Sequence, residues 1–475
     1  AITGAGFADV DALIAAYTTL IAPQNVTLAA GALANVGGEG NDTFSGLQAA
    51  AGDTFDAGDN INGGNGSDTL NITSSEATIN AATISAIETI NIVTSVVGGS
   101  AVTFDAANVT GGDVINITRG DVGVISGTGA VTISNLATSA VNTVNAVSGV
   151  SSMVVEQQTG DGVAVNAAGV TGNVTLHGAG SVTANSAAST STVTVSDVDI
   201  GAVALVAAGL DAAVSVTTTA GTVSVGMGAG ALTSDVTINA SAATTINVDT
   251  TGAVNITSGA ATLINVDNAD ASGLTVTSSL VGTTAAPVVI ALDGTTAAAA
   301  DVATISAIGV VTLDDQGDPI ETLNLSGNGA AVTYTMDTGF GATTITGSGS
   351  QNVNVTTGAD DLDGITASGL NTLTMNAAAS AAVDLSAVTA TSINLGAANH
   401  LANDFTVVTG SSLIVGNDQT GFDVFSSTDN GTVTITTADD VAGSAVGTIT
   451  LGAADLNDTN DFSAVALVAS DAHLT

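Results

Sequence analysis

The sequence predicts an all-β chain: a right-handed parallel β-solenoid, β-roll-like at its turns, behind one short N-terminal helix. Three observations predict it. Short runs in which apolar residues alternate with Thr, Asn or Ser recur from about residue 69 onward. A glycine-rich nonapeptide occurs twice near the N-terminus. Hydrophobic residues make up 45 % of the 475, yet aromatics are only 2 % and Trp is absent, so the core must be Val, Ile, Leu and Ala. Small β-branched side chains suit thin, regularly stacked strands.

The helix comes first. Residues 7–22 place Val10, Leu13, Ile14, Tyr17, Leu20 and Ile21 at helical spacing, and Pro23 ends the segment. The segment has no basic n-region, which makes it a poor signal peptide. No run of eighteen apolar residues occurs, so no transmembrane span is expected.

The strands follow. Thr69-Leu-Asn-Ile72, Glu88-Thr-Ile-Asn-Ile92, Thr245-Ile-Asn-Val248, Leu263-Ile-Asn-Val266 and Glu321-Thr-Leu-Asn-Leu325 are examples of the alternation. Period two over three to five residues means short strands with one buried face. A strand plus a turn cannot bury its own face, whereas a stack of such units can. The spacing is irregular, often about 18 to 25 residues, as imperfect coils would give. A set of antiparallel sandwiches would give similar strand lengths. The solenoid is preferred because tight hairpin dipeptides such as Asn-Gly are few for so many strands. Pro287 and Pro319 bracket a stretch, Val288 to Asp318, that reads as irregular and holds the Ala-rich run Ala297 to Ala300.

The turns carry the chemical signal. Gly37-Gly-Glu-Gly-Asn-Asp-Thr-Phe-Ser45 and Gly63-Gly-Asn-Gly-Ser-Asp-Thr-Leu-Asn71 match G-G-x-G-x-D-x-U-x, the calcium-binding β-roll repeat. Glycines at Gly37, Gly38, Gly40, Gly63, Gly64 and Gly66 permit a tight turn with exposed carbonyls. Those carbonyls and the carboxylates of Asp42 and Asp68 form an oxygen cage of the kind Ca²⁺ takes. Phe44 and Leu70 are the inward apolar residues. Nine residues before Asp68 and Leu70 stand Asp59 and Ile61, so Thr54–Asn62 reads as a degenerate copy forming one eighteen-residue coil with Gly63–Asn71. Asp53 and Asp56 add carboxylates. A weaker pair, Gly347–Val353 and Thr356–Leu362, has Gln351 at one acidic position and Asp360 at the other, with Asp361 and Asp363 beside it. It is either a further calcium turn or a plain turn of the solenoid.

Composition agrees with a cation partner. One Arg and no Lys stand against 43 Asp plus Glu, for a net charge of −42. Self-repulsion on that scale opposes compaction, and roughly twenty Ca²⁺ would neutralise it. The same charge excludes nucleic acid, which needs a basic face. No Cys is present, so disulfides and thiolate metal sites are excluded. Extracellular calcium, at millimolar levels, would fill even weak sites.

The stretch from Gly38 to Phe44, then Ala51 to Ile72, then Ile87-Glu-Thr-Ile-Asn-Ile92 resembles RTX-type surface-layer proteins of Gram-negative bacteria, as does the Thr/Ala/Gly/Val-rich body without Cys. The specific match covers about residues 37 to 92, and the remainder is similar in composition and strand pattern. The resemblance implies type I secretion, calcium-dependent folding outside the cell and self-assembly into a two-dimensional lattice or filament at the cell surface. It implies calcium ligation at Asp42, Asp59 and Asp68 with the adjoining glycine carbonyls. Further copies of the chain are the expected partner, with outer-membrane lipopolysaccharide as a candidate anchor. The chain departs from the group in lacking a clear anchoring helical domain and a tandem glycine-repeat block near its C-terminus.

The organisation expected is thus a helix and lead-in over 1–36, the calcium-binding segment over 37–75 and a solenoid body over 76–286. An irregular connector over 287–340 and a second solenoid segment with degenerate turns over 341–475 complete it. The expected function is a structural subunit of a calcium-dependent extracellular surface layer. The alternative is a secreted RTX adhesin or biofilm-matrix protein, though Arg119-Gly-Asp121 alone is weak support for cell binding. An enzyme is not expected, because one Arg and three scattered histidines (His177, His400 and His473) offer neither a triad nor cationic stabilisation. Scattered Thr-x-Thr runs make an ice-binding face a minor alternative.

Overall fold

In the computed structural model the chain is nearly all β, wound as a parallel solenoid, with a single short helix among the described residues. The structure describes residues 7–94 except 77 and 81, residues 235–267 and 302–316, and elsewhere the strands with short flanking turns. Two compact units divide the chain, Ala1–Ser234 and Asp235–Thr475.

In the first unit α1 spans Phe7–Leu20, and Pro23 follows it. Its apolar stripe is exposed at Leu13, Ile14, Tyr17 and Leu20. Among the described residues no helix is long and apolar enough to cross a membrane. The first strands are β1 (Asn25–Thr27), β2 (Ala34–Val36), β3 (Thr43–Gln48), β4 (Asn60–Asn62) and β5 (Thr69–Ser74). Then come β6 (Thr78–Ile79), β7 (Thr83–Ser85), β8 (Thr89–Thr94), β9 (Thr103–Ala106), β10 (Val109–Thr110) and β11 (Val114–Ile117).

These strands form three parallel ladders. The first runs β1, β3, β5, β8, β11 and continues through Ala130–Asn135 and Ser152–Gln157. The second, β2, β4, β7, β10, is short. The third starts with β6 and β9 and continues through Asp121–Ser126 and Asn142–Ser148. In the first ladder each side chain therefore lies over its counterpart in the next coil, whereas the pairings of Asp121–Ser126 in the third carry register shifts. Phe44, Leu70, Ile90 and Ile115 stack in register inside, all buried. Burying each such side chain stabilises by about 1.5–3 kcal/mol. Period-two alternation puts the polar partners outside, where Asn91 donates to Asn71 Oδ1 at 2.9 Å and Asn116 donates to Asn91 Oδ1 at 2.8 Å. The recurrent Ile-Asn-Ile and Leu-Asn-Ile triplets thus place an apolar column and an amide ladder on opposite faces of one sheet.

The second unit repeats the plan. One ladder runs Val236–Ala240, Val254–Ser258, Leu274–Ser278, Val302–Ala307 and Thr322–Ser326. Another runs Thr245–Asp249, Leu263–Asp267, Val288–Asp293, Val311–Gln316 and Ala331–Thr335. The stretch after Pro287, expected to be irregular, therefore continues both ladders without a break in pairing. Pro287 stands one residue before its strand, where a missing N–H removes no ladder bond. Pro319 and Ala297 to Ala300 lie outside the described residues. Tyr334 is fully buried between Leu313 and Val355 in register, so the columns accept an aromatic.

One outward pair opposes the packing. Asp249 and Asp267 are in register on adjacent strands. Burial pushes the Asp249 carboxyl above its usual range, and the Asp267 charge pushes it further. A folded-state pKa above the unfolded one means that stability is present at low pH and lost as pH rises through the raised value. Asp249→Asn is expected to raise the melting temperature at pH 7 and to have no effect near pH 3. The gain at pH 7 is under about 1 kcal/mol, because solvent screens a partly exposed pair. Thermal melts of both proteins across that pH range check it.

Candidate metal centre

The two glycine nonapeptides lie one above the other. Gly37–Asp42 leads from β2 into β3, and Gly63–Asp68 leads from β4 into β5. Asn65 N donates to the Gly38 carbonyl at 3.0 Å. Ser67 N donates to Asn41 Oδ1 at 2.9 Å, and Asn65 Nδ2 to Glu39 Oε2 at 2.7 Å. The end of α1 occupies the rung before them, with Glu39 N donating to the Leu20 carbonyl at 3.3 Å.

Backbones approach so closely here that side chains are excluded. A Cβ at Gly37 would overlap the Gly63 carbonyl and Asp42 Oδ2, and one at Gly63 would overlap the Ala86 carbonyl and Asp68 Oδ2. Gly64 and Gly66 add positive φ, at 97° and 129°. The motif's glycines are thus required by the stacking of turns as well as by the bend of each one.

A column of carboxylates runs beside the glycines, each one residue before a strand of the first ladder. Gln24 N donates to Asp42 Oδ1 at 2.6 Å, Asp42 N to Asp68 Oδ1 at 2.6 Å, and Asp68 N to Glu88 Oε2 at 2.5 Å. Glu88 is a rung that the sequence motif did not reveal. It has no glycine turn before it, and only its position ahead of Thr89, as Asp68 stands ahead of Thr69, could have marked it.

The two aspartates differ in one respect. Both are closed to solvent. Asp42 is satisfied, because its Oδ2 accepts from Gly38 N at 2.5 Å. In the second turn Gly64 N donates instead to Asn62 Oδ1 at 3.1 Å, and Asp68 Oδ2 is left buried without a hydrogen-bond partner. Burial raises the Asp68 pKa, the Asp42 N–H bond opposes that, and the Glu88 and Asp42 charges add to the rise. A buried carboxylate oxygen with no donor is costly. It lies on the Gly63 side that also faces the Ala86 carbonyl.

The donor set fits a hard divalent cation. Asp68 Oδ2 and the Ala86 carbonyl beside it would hold the ion, and Asp42 Oδ2 and the Gly63 carbonyl pair in the same way one rung earlier; all are oxygens of the type Ca²⁺ prefers. Among the described residues no three acidic, His or Cys side chains converge on one point. Carbonyls of the glycine turns and water would therefore supply most of the coordination. A bound cation would neutralise the carboxylate column and satisfy Asp68 Oδ2.

The other expected ligands lie apart. Asp59 precedes β4 in the second ladder, on a different side of the coil from Asp68. Its Oδ1 accepts from Leu33 N at 3.0 Å and its Oδ2 from Asp56 N at 2.8 Å, while Asp56 Oδ2 accepts from Gly31 N at 2.7 Å. Asp59 and Asp56 thus tie turns together through backbone N–H groups. Asp53 Oδ2 accepts a long 3.4 Å bond from Asn80, and its Oδ1 has no partner. Asp59 and Asp68 precede strands of different ladders, and the expected eighteen-residue coil is not formed, because the segment between β3 and β4 adds chain to the turn of the coil. The stacked rungs are further apart, 26 residues from Asp42 to Asp68 and 20 from Asp68 to Glu88. Asp360, Asp361 and Asp363 lie outside the described residues.

Comparison with known proteins finds no matching family model, no matching curated protein and no matching solved structure.

Proposed function

We propose that the chain is a structural subunit of a calcium-dependent extracellular surface layer, secreted by a type I route and self-assembling into a lattice or filament on a Gram-negative bacterium. The observation that carries this reading is the buried, unpartnered Asp68 Oδ2 within a stack of glycine turns. A chain of net charge −42 with one Arg and no Lys supports it, because few internal cations are available to offset the carboxylates. Regular outer faces of amide ladders suit a scaffold better than a catalyst, and calcium bridging would let acidic faces of neighbouring copies approach. Outer-membrane lipopolysaccharide, itself anionic and bridged by divalent cations, is the proposed anchor.

Electron microscopy of metal-stripped protein, with and without added calcium, tests the assembly. Ordered sheets or filaments are expected only with calcium. Dispersed particles in both conditions would rule out the lattice role.

A further inference from the structure

A second version of the glycine turn occurs in the second unit. Gly347 follows the strand Thr344–Thr346 as Gly37 follows β2, and Gln351 precedes the strand Asn352–Thr356 as Asp42 precedes β3. Backbone bonding matches as well. Gly347 N donates to the Ser368 carbonyl at 2.8 Å, as Gly37 N does to the Asn62 carbonyl at 2.8 Å. The Gln351 carbonyl accepts from Asn371 N at 2.9 Å, as the Asp42 carbonyl does from Thr69 N at 2.9 Å. A Cβ at Gly347 would press on the Gly369 carbonyl, Leu370 Cδ2 and Gln351 Oε1, the first and last matching by role the two groups that crowd Gly37.

The chemistry is different. The turn is one residue shorter, and the side chain that closes it is one methylene longer and uncharged. Gln351 is as buried as the aspartates. Its Oε1 accepts from Ser348 N at 2.7 Å, the bond that Asp42 Oδ2 makes with Gly38 N. Its Nε2 donates to the Gly327 carbonyl at 3.0 Å and to Ser348 Oγ at 2.7 Å. An amide offers donors where a carboxylate has only acceptors. On the side of the preceding coil, where Asp42 and Asp68 accept backbone N–H groups from Gln24 and Asp42, the second unit presents the Gly327 carbonyl instead, and the Gln351 amide meets it with an N–H.

We infer that the Gly347–Gln351 turn is a metal-independent copy of the N-terminal turns, closed by an uncharged Gln351 whose Oε1 keeps the turn N–H that Asp68 Oδ2 lacks and whose Nε2 bonds the preceding coil. The contrast rests on reading the Asp68 turn as a cation site. Calcium dependence is then divided within the chain: the N-terminal turn stack tightens when the ion arrives, while the turn in the second unit is closed beforehand.

Hydrogen exchange of the full-length chain, in chelator and in millimolar calcium, tests this strand by strand. Protection of Thr69–Ser74 is expected to rise at least about tenfold with calcium, and that of Asn352–Thr356 to change less than about twofold. A parallel rise in both strands would overturn the inference. No rise in either would remove the Asp68 reading alone, and Gln351→Glu then decides the amide clamp. That variant sets a buried carboxylate against the Gly327 carbonyl. It is expected to lower protection of Asn352–Thr356 by about tenfold or more in chelator. Unchanged protection in Gln351→Glu would overturn the clamp whatever calcium does elsewhere.

Discussion

Asp68→Asn is expected to remove the calcium-dependent stabilisation of the first unit's turns while leaving the metal-free chain no less stable. Asn keeps an oxygen for the Asp42 N–H and replaces the unpartnered Oδ2 with an NH₂ group on the side of the Ala86 carbonyl. It also takes one charge out of the Asp42–Asp68–Glu88 column, where burial and like charges already raise the Asp68 pKa. An ion that binds only the folded state adds about 2.7–4.1 kcal/mol at 100 to 1,000 times its dissociation constant. The wild-type chain should show a shift of that order between chelator and millimolar calcium. In the variant the part of the shift contributed by this turn disappears, and the melting temperature in chelator rises. A wild-type calcium shift in Asp68→Asn would show that the ion binds elsewhere.

Gly63→Ala should be the most damaging single methyl in the N-terminal region. The added carbon would occupy the position of the Ala86 carbonyl and of Asp68 Oδ2. Neither can retreat, because Gly63 N is itself bonded to the Ser85 carbonyl at 3.0 Å and the coils are locked on both sides. Separating the β4 and β7 turns to make room would loosen the ladder, at about 3 kcal/mol or more. Gly52→Ala is the contrasting control. Gly52, unlike Gly63, has positive φ, at 80°, and nothing lies within 4 Å of its added carbon. Only backbone strain of roughly 1–2 kcal/mol is expected there. Denaturant titrations of the two variants beside the wild type measure the difference.

Much of this was legible in the sequence, and the remainder was hidden for identifiable reasons. The alternation in Thr-Leu-Asn-Ile and Glu-Thr-Ile-Asn-Ile placed β5 and β8 and their inward faces, because side-chain direction in a strand depends only on parity. Parallel stacking followed from units too small to bury their own faces. Stack period did not follow. It depends on how much chain returns to the starting edge, and the segment between β3 and β4 lengthens one coil without disturbing the register of Phe44 on Leu70. The regular strands after Pro287 were obscured for a related reason, since proline just ahead of a strand looks like a break but costs no ladder bond there. At the turns, the nonapeptide pointed to Asp42 and Asp68, yet nothing in the motif shows that Asn62 takes Gly64 N and that Asp68 Oδ2, unlike Asp42 Oδ2, is left without a partner. Glu88 and Gln351 take their meaning from the coil beside them, which only three-dimensional stacking reveals.

Calorimetric titration of the metal-stripped chain with calcium tests the central claim most directly, run on wild type and Asp68→Asn side by side. Saturable binding to the wild type, with at least one site missing from the variant, is the predicted result. Identical isotherms for the two proteins, or no binding to either, would contradict the assignment of Asp68 to a cation site.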